Sequence, residues 1–137
     1  MAYWLFKSEP SSWSWVDQVA AGAKGTTWNG VRNHQAKQNL MAMKRGDQGF
    51  FYHSNEGKAV VGIVEVIKEY YPDHTDETDR FGMVDIKAVR AFPKPVTLEA
   101  IKAEPGLSGM ILVNNSRLSV QPVTDEEWAI VCRLGGL

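Results

Sequence analysis

Apolar positions along the chain alternate, run together or recur every three to four residues, and each pattern predicts an element. Tyr3-Trp4-Leu5-Phe6 is a continuous aromatic and aliphatic run of strand character, broken by Glu9-Pro10-Ser11-Ser12. Trp15, Val16, Val19 and Ala20 then recur at helical spacing and predict a short helix, which Gly22 and Gly25 end. Trp28-Asn29-Gly30 reads as a loop. From Gln35, the residues Ala36, Leu40 and Met43 fall on one helical face until Arg45-Gly46-Asp47 turns the chain, leaving Lys37, Lys44 and Arg45 off the apolar stripe.

The middle of the chain changes to strand periodicity. Gln48 to His53 and Ala59 to Ile67 predict neighbouring strands joined through Ser54-Asn55-Glu56-Gly57, a run of turn formers. Residues 72 to 82 hold Asp73, Asp76, Glu77 and Asp79 and, Pro72 aside, no apolar side chain before Phe81, which predicts an exposed connection. Met83 to Arg90 alternates as a half-buried strand does, and Pro93 and Pro95 are expected to stop it. Thr97 is placed to cap a helix over Leu98 to Ala103.

Met110 to Val113 is expected to be extended and to lead into Arg117 through Val123, where Leu118 and Val120 point one way and Arg117, Ser119 and Gln121 the other. Thr124-Asp125-Glu126-Glu127 is a capping box, and Trp128, Val131 and Cys132 form the buried face of the last helix. With no repeat, linker or low-complexity tract, the order of elements predicts one α+β domain over residues 1 to 137, a small mixed β-barrel with peripheral helices.

Composition narrows the function. The chain has 137 residues, 44% hydrophobic and 23% charged, as an ordinary globular domain does. No apolar run approaches the ~20 residues of a membrane span, and Met1-Ala2-Tyr3-Trp4 is unlike a signal peptide, so a cytoplasmic monomer without membrane contact is expected. The single cysteine, Cys132, excludes an internal disulfide and reads as a small buried apolar group. A net charge of −1 argues against tight non-specific coating of duplex DNA. The charge is uneven, however. Residues 24 to 58 hold Lys24, Arg32, Lys37, Lys44, Arg45 and Lys58 against Asp47 and Glu56, whereas residues 65 to 85 are acidic.

Candidate chemistry is binding chemistry. His34, His53, His74 and Cys132 have no metal-ligand spacing, and no phosphate loop, dinucleotide fingerprint or nucleophile elbow occurs, so no metal, cofactor or catalysis is expected. Ser8, Glu9, His53 and Ser54 are the only residues that suggest a hydrolase, and adjacent His53 and Ser54 on a strand point to opposite faces. Polar groups collect instead at strand ends: Lys7-Ser8-Glu9, Arg32-Asn33, Tyr52-His53-Ser54 and Arg117-Leu118-Ser119. Lys7 and Glu9 share a strand face, as an ion pair or as a pocket wall. A nucleobase offers a flat face for stacking and a polar edge for hydrogen bonds. Trp28 and Tyr52 suit the face, Ser8, Asn33, Ser54 and Ser119 the edge, and Arg32 and Arg117 the phosphates.

Four segments together, Lys7-Ser8-Glu9-Pro10, Trp28-Asn29-Gly30-Val31-Arg32-Asn33, Phe51-Tyr52-His53-Ser54 and Ser116-Arg117-Leu118-Ser119-Val120-Gln121-Pro122, resemble the EVE domain family, and Tyr70-Tyr71-Pro72-Asp73-His74-Thr75 does so too. The resemblance spans nearly the whole chain. It implies a PUA-like pseudo-barrel, related to the YTH domains that read methylated adenine in RNA, with a pocket for modified bases such as methylated or hydroxymethylated cytosine in DNA. Carried across by position, the pocket consists of Lys7, Ser8 and Glu9; Trp28, Val31, Arg32 and Asn33; Tyr52, His53 and Ser54; and Arg117, Leu118 and Ser119. EVE domains are also found fused to nuclease modules and this chain carries none, so any effector is expected in trans. The function expected is non-catalytic reading of a flipped modified base in DNA, with Val31 or Leu118 against its methyl group. The alternatives are a reader of modified RNA and a small-molecule or nucleoside binder.

Overall fold

Phe6 and its neighbour Leu5 are both fully buried, yet they belong to different cores, because successive side chains of a strand leave opposite faces of the sheet. The computed structural model describes residues 1–115 and 117–137. Ser116, part of the Arg117 segment, lies outside the described residues. In chain order these residues form β1 (Tyr3–Ser8), α1 (Trp15–Ala20), β2 (Thr26–Thr27), α2 (His34–Ala42), β3 (Gln48–His53), β4 (Ala59–Pro72), β5 (Gly82–Thr97), α3 (Leu98–Ala103), α4 (Ile111–Asn114), β6 (Val120–Val123) and α5 (Asp125–Leu134). Among the described residues, no helix is long and apolar enough to cross a membrane.

The strands make one mixed sheet in the order β2-β5-β4-β3-β1-β6. β1 and β3 are parallel, with α1, β2 and α2 in the crossover between them, and the other pairs are antiparallel. β2 and β6 are its two edges, so the α+β pseudo-barrel is left open rather than closed by a last strand pairing. On one face, Leu5, Phe50 and Tyr52 pack with Trp128 and Val131 of α5. On the other, Trp4, Phe6 and Phe51 pack with Ala36 and Leu40 of α2. The expected caps are in place, including Thr97 on α3 and the Thr124–Glu127 box on α5.

Several expectations are corrected. In α1 the apolar periodicity marks the helix but not its inward face: Val16 is 74% exposed, whereas Gln18 is fully buried. β5 is not stopped by its prolines. Its register steps from Val60↔Val96 to Gly62↔Ala91, so residues 92 to 95 bulge out of the ladder, where the missing N–H groups of Pro93 and Pro95 are no loss. Met110 to Val113 does not extend. It begins the short helix α4, where the Met110 N–H donates to the Leu107 carbonyl at 3.0 Å and the Val113 N–H to the Met110 carbonyl at 3.0 Å, satisfying the backbone locally. Nor is the acidic connection at 72–82 merely a solvated strap, since Asp73 and Asp76 are both buried in it.

Candidate functional site

β1, the turn after it, and the segment between β2 and α2 line an open cavity of about 570 Å³. Seven of the residues expected from sequence line it: Lys7, Ser8, Glu9, Trp28, Val31, Arg32 and Ser119. Ser12, Trp13, Thr26, Thr27, Asn29 and Gly30 complete the lining and were not anticipated.

The turn after β1 is closed by two hydrogen bonds, from the Ser12 and Trp13 N–H groups to the Glu9 carbonyl at 2.9 and 3.0 Å. Ser8 Oγ donates to the Trp13 carbonyl at 2.5 Å, which holds Trp13 at the cavity wall. The Trp13 indole N–H in turn donates to Gln18 Oε1 at 2.9 Å, and Gln18 Nε2 to the Ile86 carbonyl at 3.3 Å. This chain of bonds explains why α1 buries a glutamine: an amide can join an indole on one side to a strand carbonyl on the other, and a valine cannot. Trp13 carried the same signal as Trp28, a large aromatic side chain within a polar turn.

Trp28 is fixed from the other side. Its N–H donates to the Val84 carbonyl at 2.7 Å, and its ring meets Phe6 edge to face at 5.4 Å and Phe51 at 5.9 Å. It therefore serves the core and the cavity together. Gly30 follows with φ +80°, a left-handed conformation that favours glycine.

Asp73 holds this rim in place. Its Oδ2 accepts from the Gly30 N–H at 2.8 Å and from Arg32 Nη1 at 3.0 Å, and its Oδ1 from the Thr75 N–H at 2.7 Å and Thr75 Oγ at 2.6 Å. Burial by itself would raise this carboxyl. The bonds from the Thr75 hydroxyl, the Gly30 and Thr75 amides and Arg32 outweigh it and bring the pKa down to about 2. Arg32 is consequently committed in part to Asp73, although its side chain is still 39% exposed. The Thr75 bonds are local, but nothing in the sequence marks Asp73 as the holder of the rim, because Gly30 and Arg32 lie about forty residues away.

The other expected site residues lie off the cavity lining. Asn33 Oδ1 accepts from the Ala36 N–H at 2.9 Å and caps α2. Tyr52 is 3% exposed in the core on the far face of the sheet, beside Phe50 and Trp128, because a strand residue next to Phe51 must point away from it. His53 Nε2 accepts from the Trp15 N–H at 3.0 Å, so its proton sits on Nδ1, and burial lowers its pKa. Ser54 is bonded through its N–H to the Ser8 carbonyl at 2.9 Å. Leu118 is buried in the cluster against which Trp28 packs. Arg117 is exposed, outside the lining. Among the described residues no His, Cys, Asp and Glu side chains group as a metal site.

Comparison with known proteins agrees with this architecture. The EVE domain family model matches residues 2–134. Thymocyte nuclear protein 1 of Gallus gallus is 40% identical over 96% of this chain and 68% of its own length. The crystal structure of protein Atu2648 from Agrobacterium tumefaciens superposes with TM-score 0.98 at 58% identity, covering 100% of this chain and 94% of that one. The structure of human THYN1 in complex with DNA containing 5-methylcytosine superposes with TM-score 0.93 at 34% identity, covering 100% of this chain and 99% of that one. The fold is the PUA-like one, and the chain belongs to the EVE domain family.

Proposed function

We propose that this protein is a reader of modified bases, which takes one modified cytosine of a DNA strand into the cavity between Trp13 and Trp28 without chemical change. The observation that carries the reading is the lining itself: two anchored indoles, an apolar Val31 and the polar groups of Ser8, Thr27 and Asn29 around one space of about 570 Å³. The binding of 5-methylcytosine DNA by the human relative supports it.

Turning a base out of its stack costs a few kcal/mol, least in a single strand. Stacking on an aromatic side chain contributes about 1 to 3 kcal/mol per base. A methyl group laid against Val31 adds only ~0.8 kcal/mol, about a fourfold preference. A hydroxymethyl group is discriminated more sharply, since a buried hydroxyl without a partner is costly. Ser8 Oγ, whose proton is given to the Trp13 carbonyl, presents acceptor lone pairs to a base edge.

The test is binding to matched DNA and RNA oligonucleotides, plain or carrying methylcytosine, hydroxymethylcytosine or methyladenine, with Trp28→Ala as control. A several-fold preference for one modified strand, lost in the control, is the expected result. Equal affinity for every strand in both proteins would refute the reading. A free nucleoside bound as well as the strand, with no dependence on salt, would replace it with a small-molecule site.

A further inference from the structure

Phe81 collects three side chains able to carry positive charge. The Arg32 guanidinium carbon and Lys37 Nζ each lie 5.7 Å from its ring centroid, and the His34 imidazole packs on it at 5.2 Å with the planes inclined by 37°. An aromatic face attracts cations through its quadrupole, but it leaves their summed charge directed outward. Among the described residues the carboxylate paired with this group is Asp73, which meets Arg32. Among the described residues no carboxylate lies within 4.0 Å of Lys37 Nζ.

The Phe81 backbone is fixed on both sides. The Phe81 N–H donates to Asp76 Oδ2 at 2.7 Å, and the Phe81 carbonyl accepts from the Asp73 N–H at 3.1 Å. Lys37 is placed by α2, where its N–H donates to the Asn33 carbonyl at 2.9 Å. Arg32 also lines the cavity, so the cationic surface begins at the cavity mouth and continues over Phe81 to the first turns of α2.

We propose that Arg32, His34 and Lys37, gathered on Phe81, bind the phosphodiester beside the nucleotide whose base enters the cavity. This rests on the base-reading proposal, since it assigns the strand's path away from that cavity. A phosphate oxygen accepts from the Lys37 ammonium, an imidazole N–H and the Arg32 donors beyond those given to Asp73, the Val31 carbonyl and Thr75 Oγ. Such contacts set register and orientation and carry no information about the base. The surface therefore contributes equally to modified and plain strands, whereas the cavity, where the base's substituent meets Val31 and the polar lining, distinguishes them.

The experiment titrates the full chain against a labelled single-stranded DNA, methylated at one cytosine or plain, over a series of NaCl concentrations, with an RNA twin in parallel. Loss of one phosphate contact reduces the slope of log affinity against log salt by about 0.7 on a single strand, and affinity at 0.15 M salt by roughly fourfold. Lys37→Gln is expected to do this to methylated and plain strands alike, keeping their ratio, and Lys37→Glu to do more. Lys102→Gln, on α3, is expected to change neither slope nor affinity.

Unchanged slope and affinity in both Lys37 variants, with circular dichroism showing intact folds, would overturn the phosphate surface while a Trp28-dependent preference still stood. A slope change without any preference between strands would overturn base reading and leave the surface. Absence of binding to every strand would overturn both.

Discussion

Asp73 and Gly30, 43 residues apart, are joined by a 2.8 Å hydrogen bond from the Gly30 amide to the Asp73 carboxylate. The bond fastens the loop after β4 to the rim that carries Trp28, Val31 and Arg32, so a surface connection stabilises the cavity. Replacing Asp73 by Ala strands the Gly30 amide, both Thr75 donors and part of Arg32. The donor residues are themselves exposed, so water takes over part of each lost bond, and a loss of roughly 1 to 2 kcal/mol is expected. Urea denaturation measures it, and strand affinity should fall with the rim disordered even where the protein is still folded. An unchanged midpoint would show that the bonds contribute nothing.

Acid should loosen the same rim in a defined window. The folded Asp73 carboxyl titrates near 2, below the ~3.9 of an unfolded aspartate. A group with a depressed folded pKa adds stability that is complete above its unfolded value and is lost as pH falls towards the folded one. Asp73 thus supports the fold fully above about pH 4 and progressively less down to about pH 2. Stability profiles of the wild type and Asp73→Asn are expected to converge across that interval, and parallel profiles would contradict this.

His53 acts at milder pH. Burial lowers its pKa, and its Nε2 must be unprotonated to accept the Trp15 N–H. Its contribution is complete above the ordinary value of about 6.5 and declines as pH falls through the lowered folded value. His53→Gln, which supplies a non-titrating acceptor, is expected to give a flatter denaturation profile between pH 7.5 and 5 than the wild type. Identical profiles would remove His53 from the acid response.

Trp13 and Trp28 line one cavity but differ in their other contacts. Trp28 packs on Phe6 and Phe51, whereas Trp13 is tied to Gln18 through its indole nitrogen. Removing either stacking surface should cost about 1 to 3 kcal/mol of base binding, roughly five- to 150-fold in affinity. Trp28→Ala should also lower the melting temperature more than Trp13→Ala does. Equal base binding by Trp13→Ala and the wild type would leave Trp28 as the only platform.

Gly62 has no room for a side chain, since a Cβ there would meet the Trp15 ring at 2.4 Å. Gly62→Ala must push that indole from its edge-to-face contact with Phe51, at an overpacking cost of about 1 to 3 kcal/mol. A shifted tryptophan emission with an earlier urea midpoint is expected. A variant as stable as the wild type would show that the ring moves freely.

The sequence by itself determined what depends on near neighbours. The strand at Tyr3, the hairpin through Ser54–Gly57, the helix over Ala36 and Leu40 and the caps at Thr97 and Thr124 follow from periodicity and turn chemistry within a few residues. Family motifs brought Lys7, Ser8, Glu9, Trp28, Val31, Arg32 and Ser119 to the cavity, but they brought Tyr52 and Leu118 too, which the alternation of a strand and the packing of the core turn inward. Only the tertiary structure decided the inward face of α1, because Gln18 is buried for the sake of Trp13 and Ile86, not for its hydropathy. It alone let β5 pass its prolines, through a bulge that needs β4 alongside, and it alone made Asp73 a fastening of the site. A hydrogen bond or a stacked ring is satisfied by whatever lies across space, and the pattern of neighbours along the chain does not record what that will be.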